Sequence, residues 1–224
     1  RLARHASETY TTPRALAAGG DRVAGSASMT DLPEPPPIDA ASVAASLADI
    51  RARIAAAGGS GVQVVAVTKT WGSDAVLAAA AAGCDAIGEN YAQELVNKLG
   101  PLRRDGVPAL PPVHFIGRLQ TNKVRLVAPL VDVYETVDRA ALATELAKRA
   151  PGAAVLVQVS PDGDPDKGGC ALGDVPALVD ACRELSLDVR GLMTVGPTEG
   201  GPEAARPGFR AVRRLLDELG LAVC

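Results

Sequence analysis

Hydrophobic positions along this chain switch repeatedly between a helical period and an extended one. Val43, Leu47, Ile50 and Ile54 recur at helical spacing and predict a first helix over 39–57, stopped by Gly58 and Gly59. Val62, Val64, Val65 and Val67 then occupy both alternation faces of a run that ends at Lys69, the pattern of a parallel strand covered on both sides. Further strands are predicted at 85–88, 113–117, 131–136, 153–159 and 189–195. Helices are predicted at 74–82, 92–99, 139–149, 174–185 and 204–219, with Ser73 and Asp138 as caps, and a short helix starts within 118–123. Gly220 closes the last helix, and Leu221, Ala222 and Val223 read as the start of another strand. Six strands alternating with helices predict an α/β fold, a parallel sheet joined by right-handed crossovers.

That alternation says where chemistry belongs. In a parallel sheet the carboxyl ends of the strands share one rim, and α/β proteins place their sites there whether the sheet is open or closed into a barrel. Lys69, Glu89, Asn90, Arg118, Gln120, Asn122, Asp138, Ser160 and Thr194 all end or follow predicted strands. Part-burial at a strand exit disfavours the charged form of an amine, and a neutral amine attacks carbonyls to form a Schiff base. The plainer alternative for Lys69 is a stem lying on apolar surface and a head in solvent. Asn90 suits either a hydrogen bond to a ligand oxygen or a cap on the following helix. His114 lies inside an apolar strand, where a hydrogen-bonded core histidine is the commoner role. Glu89 is a potential charge partner for Lys69.

Composition narrows the classes. The 224 residues are 47% hydrophobic and 22% charged, enough for one sizeable core. A net charge of -3 without like-charged blocks gives no reason to expect a nucleic-acid or membrane partner, and small molecules fit better. No apolar run approaches the ~18 residues of a spanning helix, so a soluble protein is expected. Cys84, Cys170, Cys182 and Cys224 are scattered, with only His5 and His114 to assist, which argues against zinc or a disulfide framework and for inert thiols in a reducing cytoplasm. Residues 1–37, with a first methionine at Met29 and a proline-rich stretch at 33–37, read as a disordered or upstream extension. They lack a secretory core, although their Arg and Ser content leaves a transit peptide open.

Four segments carry a resemblance to a known family: Val65-Ala66-Val67-Thr68-Lys69-Thr70, Gly88-Glu89-Asn90-Tyr91-Ala92-Gln93-Glu94, His114-Phe115-Ile116-Gly117-Arg118-Leu119-Gln120-Thr121-Asn122-Lys123 and Gly191-Leu192-Met193-Thr194. In this order and spacing they resemble the pyridoxal-phosphate homeostasis proteins, whose barrel is similar to the N-terminal domain of alanine racemase. Val113 stands where the family usually has an aromatic residue. The resemblance implies a TIM-type (β/α)8 barrel over 38–224. It implies that Lys69 holds pyridoxal 5′-phosphate as a Schiff base, and that Glu89, Asn90, His114 and Met193 line the cofactor site. It further implies a cytoplasmic protein without established turnover that stores the cofactor or delivers it to PLP-dependent apoenzymes. In the family two more strands carry a Ser/Gly-rich turn and an Arg-x-Gly-Thr segment, neither of which occurs in this sequence. The expectation is therefore a barrel truncated after about six βα units, with open sheet edges. Two other functions remain open: a PLP-dependent amino-acid racemase or decarboxylase, and a Schiff-base aldolase. A nucleotide-binding open sheet is disfavoured, because no G-x-G-x-x-G follows the first strand.

Overall fold

The β-branched runs form six strands, β1 (Val65–Val67), β2 (Ala86–Glu89), β3 (Val113–Phe115), β4 (Val133–Val137), β5 (Ala154–Val159) and β6 (Asp188–Thr194). The computed structural model describes residues 38–107, 110–164 and 167–223, so the expectations for 1–37 and Cys224 lie outside the described residues. All strand pairs are parallel and the sheet order follows the chain, β1 to β6. The intervening helices are α1 (Ala40–Ala56), α2 (Ser73–Ala82), α3 (Ala92–Arg104), α4 (Val124–Val127), α5 (Ala140–Arg149), α6 (Val175–Glu184) and α7 (Gly201–Glu218).

The sheet curls. Val65 on β1 and Val223 beyond β6 line one cavity of about 1290 Å³, although β1 and β6 are the two edges of the ladder. This is the predicted barrel architecture with six strands and an open seam. Val223 bridges to Gly191 in parallel and its carbonyl accepts from Leu192 N–H at 2.9 Å, so the apolar segment after Gly220 does run alongside β6.

Helix faces and sheet share one core. Leu95 and Leu99 of α3, Leu142 and Leu146 of α5 and Leu216 of α7 are fully buried, packed with Ile87, Val113, Tyr134 and Val157 of the strands. Truncating any of these leucines to alanine would cost about 2–5 kcal/mol. Burial pushes the Cys170 and Cys182 thiols up to about 11, in keeping with inert thiols.

Two βα units are tied at the foot of the sheet by the same device. Asp85, just before β2, accepts the Val64 N–H at 2.7 Å and Arg51 Nη2 at 3.0 Å, and the same arginine nitrogen donates to the Gly83 carbonyl at 3.0 Å. Asp132, just before β4, accepts the Val113 N–H at 2.8 Å and Arg103 Nη2 at 3.3 Å, and that nitrogen donates to the Leu130 carbonyl at 3.2 Å. In each case a carboxylate joins two neighbouring strands to the helix that precedes both.

Several local expectations are corrected. The first strand, expected to run to Lys69, is ordered as a ladder only over Val65–Val67, because β2 offers partners to those three residues and the chain turns at once. Ser73 and Asp138 are not caps: α2 and α5 are preceded by Gly72 and Arg139, neither making a side-chain cap bond, and Asp138 pairs with Arg139 at 2.5 Å. Helix α3 outruns its expected end at Leu99 and passes through Pro101 to Arg104.

Candidate functional site

Lys69 lies two residues beyond the end of β1, in a turn closed by Trp71 N–H donating to the Thr68 carbonyl at 3.2 Å. The position after the lysine, Thr70, has φ 66°, the left-handed region that such a turn asks of its third residue. Glycine or asparagine usually fills that position, and a β-branched residue there is strained by about 1–2 kcal/mol.

What holds the turn is a buried ionic cluster behind it. Thr68 Oγ1 donates to Glu89 Oε1 at 2.6 Å, and Lys98 Nζ lies 2.7 Å from the same oxygen. Lys98 also donates to the Thr68 carbonyl at 2.6 Å and pairs with Glu94 at 2.6 Å. Glu94 Oε1 in turn accepts the Thr70 N–H. Glu89 and Lys98 are 0% and 6% exposed, so this pair sits in the layer between sheet and α3, where low dielectric strengthens each contact. Glu89 is therefore corrected on two counts. It faces the helix layer rather than the concave side, and its partner is Lys98, because the strand pleat that sends Thr68 outward sends Glu89 outward beside it.

Lys69 itself is exposed rather than part-buried, and its amine makes no hydrogen bond or ion pair among the described residues. Lys167 differs: it is bracketed by Asp164 at 3.2 Å and Asp162 at 3.8 Å. Asn90 ends the β2 exit. Helix α3 is capped by Tyr91 without a side-chain bond, so capping is not the role of Asn90, and its Oδ1 is buried with no partner among the described residues. The Asn90 main chain packs so closely on Gly117 that a Cβ there would lie 2.1 Å from the Asn90 oxygen.

His114 and Met193 occupy the concave face below the rim. His114 is level with Gly88, which is level with Val67, so it sits two residues beneath Lys69, about 6–7 Å along the strand direction. Its Nδ1 is 2.5 Å from Glu135 Oε1, and both residues line the large cavity, which opens toward the foot of the sheet. Met193 packs on Val133, Ala154 and Leu156 of the same face. Thr194 Oγ1 donates to the Val159 carbonyl at 2.9 Å, while Arg118 and Gln120 are exposed on the rim. No group of His, Cys, Asp and Glu that could hold a metal ion occurs among the described residues, and no described helix is long and apolar enough to cross a membrane.

Lys98, Glu94 and Glu135 were missed by sequence reasoning. Lys98 carried a signal: it falls on the helical stripe of Leu95, Leu99 and Leu102, where a lysine must be buried and therefore paired.

The family profile described as alanine racemase, N-terminal domain, matches residues 38–223. A pyridoxal phosphate homeostasis protein of Pseudomonas aeruginosa is 37% identical over 169 residues, which are 72% of this chain and 71% of that protein. The chain belongs to the pyridoxal phosphate homeostasis family. Two solved structures bear on this family member. A protein of unknown role from Bifidobacterium adolescentis matches with a TM-score of 0.72 and 33% identity, covering 81% of each chain. PipY of Synechococcus elongatus, solved with PLP bound, matches with a TM-score of 0.69 and 29% identity, covering 79% of this homeostasis-family chain and 81% of PipY.

Proposed function

We propose that this chain binds pyridoxal 5′-phosphate covalently and reversibly through Lys69, at the rim of its open barrel. The observation that carries the reading is the turn that presents the Lys69 amine. Lys98 and Lys167 are held by carboxylates, whereas Lys69, Lys123 and Lys148 are uncommitted among the described residues, and of these three Lys69 alone is fixed at a strand exit by a strained turn. When bound, the cofactor supplies an aldehyde that an amine takes up and gives back. The residues present fit the aldehyde end of that group. Lys69 would hold the group through its amine, the nucleophile that an aldehyde takes up. The buried Asn90 Oδ1, which lacks a partner among the described residues, offers an acceptor beside it. His114, oriented by Glu135, and Met193 bound the concave side one layer lower.

The chain thereby holds the cofactor and releases it to PLP-dependent apoenzymes in the cytoplasm, without turnover of its own. The family's name supports the homeostasis role, and the PLP carried by PipY supports the binding.

The test is reductive trapping. The purified chain is mixed with pyridoxal 5′-phosphate, reduced with borohydride and digested, and the modified peptide is located by mass spectrometry. Label on the Lys69 peptide, with a near-visible absorbance band that falls in Lys69→Ala, is the expected result. Label spread over exposed lysines, with an unchanged band in the variant, would overturn the reading. Amino-acid turnover that disappears in Lys69→Ala would instead mark an enzyme of the racemase type.

A further inference from the structure

We propose that Glu94 and Lys98 are positioning residues that lock the Thr68–Trp71 turn in the conformation presenting Lys69. This rests on the cofactor reading above only for what Lys69 does afterwards; the lock itself is a property of the turn. Neither residue touches the concave face.

The lock acts on both sides of Lys69. On one side, Lys98 Nζ grips the Thr68 carbonyl at 2.6 Å, the same carbonyl that accepts the Trp71 N–H and closes the turn. On the other, Glu94 accepts the N–H of Thr70, the residue at φ 66°. The two grips are coupled, because Glu94 and Lys98 pair with each other one helical turn apart on α3, at 2.6 Å. Lys98 is anchored in place by the fully buried Glu89, which also takes the Thr68 hydroxyl. A charge-assisted acceptor at Thr70 N–H is what makes the left-handed conformation tolerable for a β-branched residue. Without it the turn relaxes toward conformations that a threonine prefers, and Lys69, lying between the two grips, moves with it.

The test exploits the strain. Glu94 is partly exposed, at 24%, so Glu94→Ala keeps the buried Glu89–Lys98 pair and the fold. It is expected to weaken the lysine-dependent binding of pyridoxal 5′-phosphate about tenfold, with the melting temperature little changed, since the strain it uncovers is of that order. Glycine populates φ > 0 freely, so the double variant Glu94→Ala/Thr70→Gly needs no lock and should regain most of the lost affinity. A general packing role for Glu94 would give no such rescue. A second readout needs no cofactor: hydrogen exchange in the 68–71 peptide should be slow in the parent chain and fast in Glu94→Ala. Unchanged affinity together with unchanged exchange in Glu94→Ala would overturn the proposal, as would a loss that Thr70→Gly fails to restore. If the parent chain shows no lysine-dependent binding at all, the cofactor reading fails while the exchange result still decides the lock.

Discussion

At the foot of the sheet, Asp85 and Asp132 each accept one strand N–H and one arginine, and those arginines reach back to a carbonyl two residues before the aspartate. At the rim, the Lys69 amine and Asn90 Oδ1 have no partner among the described residues. The foot satisfies its polar groups against its own backbone, which serves stability. The rim keeps two groups free and has an ionic cluster of Glu89, Lys98 and Glu94 just behind them, in which the second Glu89 oxygen, Oε2, is itself buried with no partner among the described residues. Parallel-sheet proteins divide labour between their ends in this way, and here the division extends to which side of a strand a carboxylate occupies.

The contrast can be broken most forcefully from behind the rim. Glu89→Ala strips a fully buried carboxylate from Lys98 and is expected to cost about 3 kcal/mol in urea unfolding, the lower end of the range for breaking a buried pair, because Glu94 remains. At the foot, Asp85→Asn is expected to cost about 1–2 kcal/mol at neutral pH, measured the same way. The Val64 N–H first, with Arg51 adding to it, holds the Asp85 carboxyl below the usual carboxylate range. A lowered folded value means that this stabilisation is complete above the unfolded value of roughly 3.9 and is lost as pH falls through the lowered one. The gap between parent and Asp85→Asn should therefore be full at neutral pH and close in strong acid. Lys69→Ala should have the smallest effect on stability, within about 0.5 kcal/mol, since the side chain is exposed and has no partner among the described residues. A large loss there would mean that Lys69 belongs to the structural cluster rather than to the free rim.

The alternation of strands and helices, and the placement of Lys69 at a strand exit, were legible because both follow from local periodicity. The open curl of the sheet was expected from the family resemblance and not from periodicity, since Val65 and Val223 meet one cavity through contacts far apart in sequence. Asn90 was readable as either cap or ligand group, and the cap reading fell when Tyr91 took the cap position. Glu89 misled because a charge next to Lys69 in the rim list looks like its partner, yet a shift of one residue along a strand places a side chain on the opposite face. The left-handed Thr70 had no signal at all, for threonine is the residue one would not expect there.

Gly117 contributes no functional group, and a mutational survey of this chain would still score it among the most sensitive positions. An added methyl at Gly117 would occupy the space of the Asn90 carbonyl, so even alanine must push the β2 exit away from its place. Sensitivity to the smallest possible enlargement, combined with indifference to any question of polarity, would be the signature that separates such a spacer from a residue selected for what it binds.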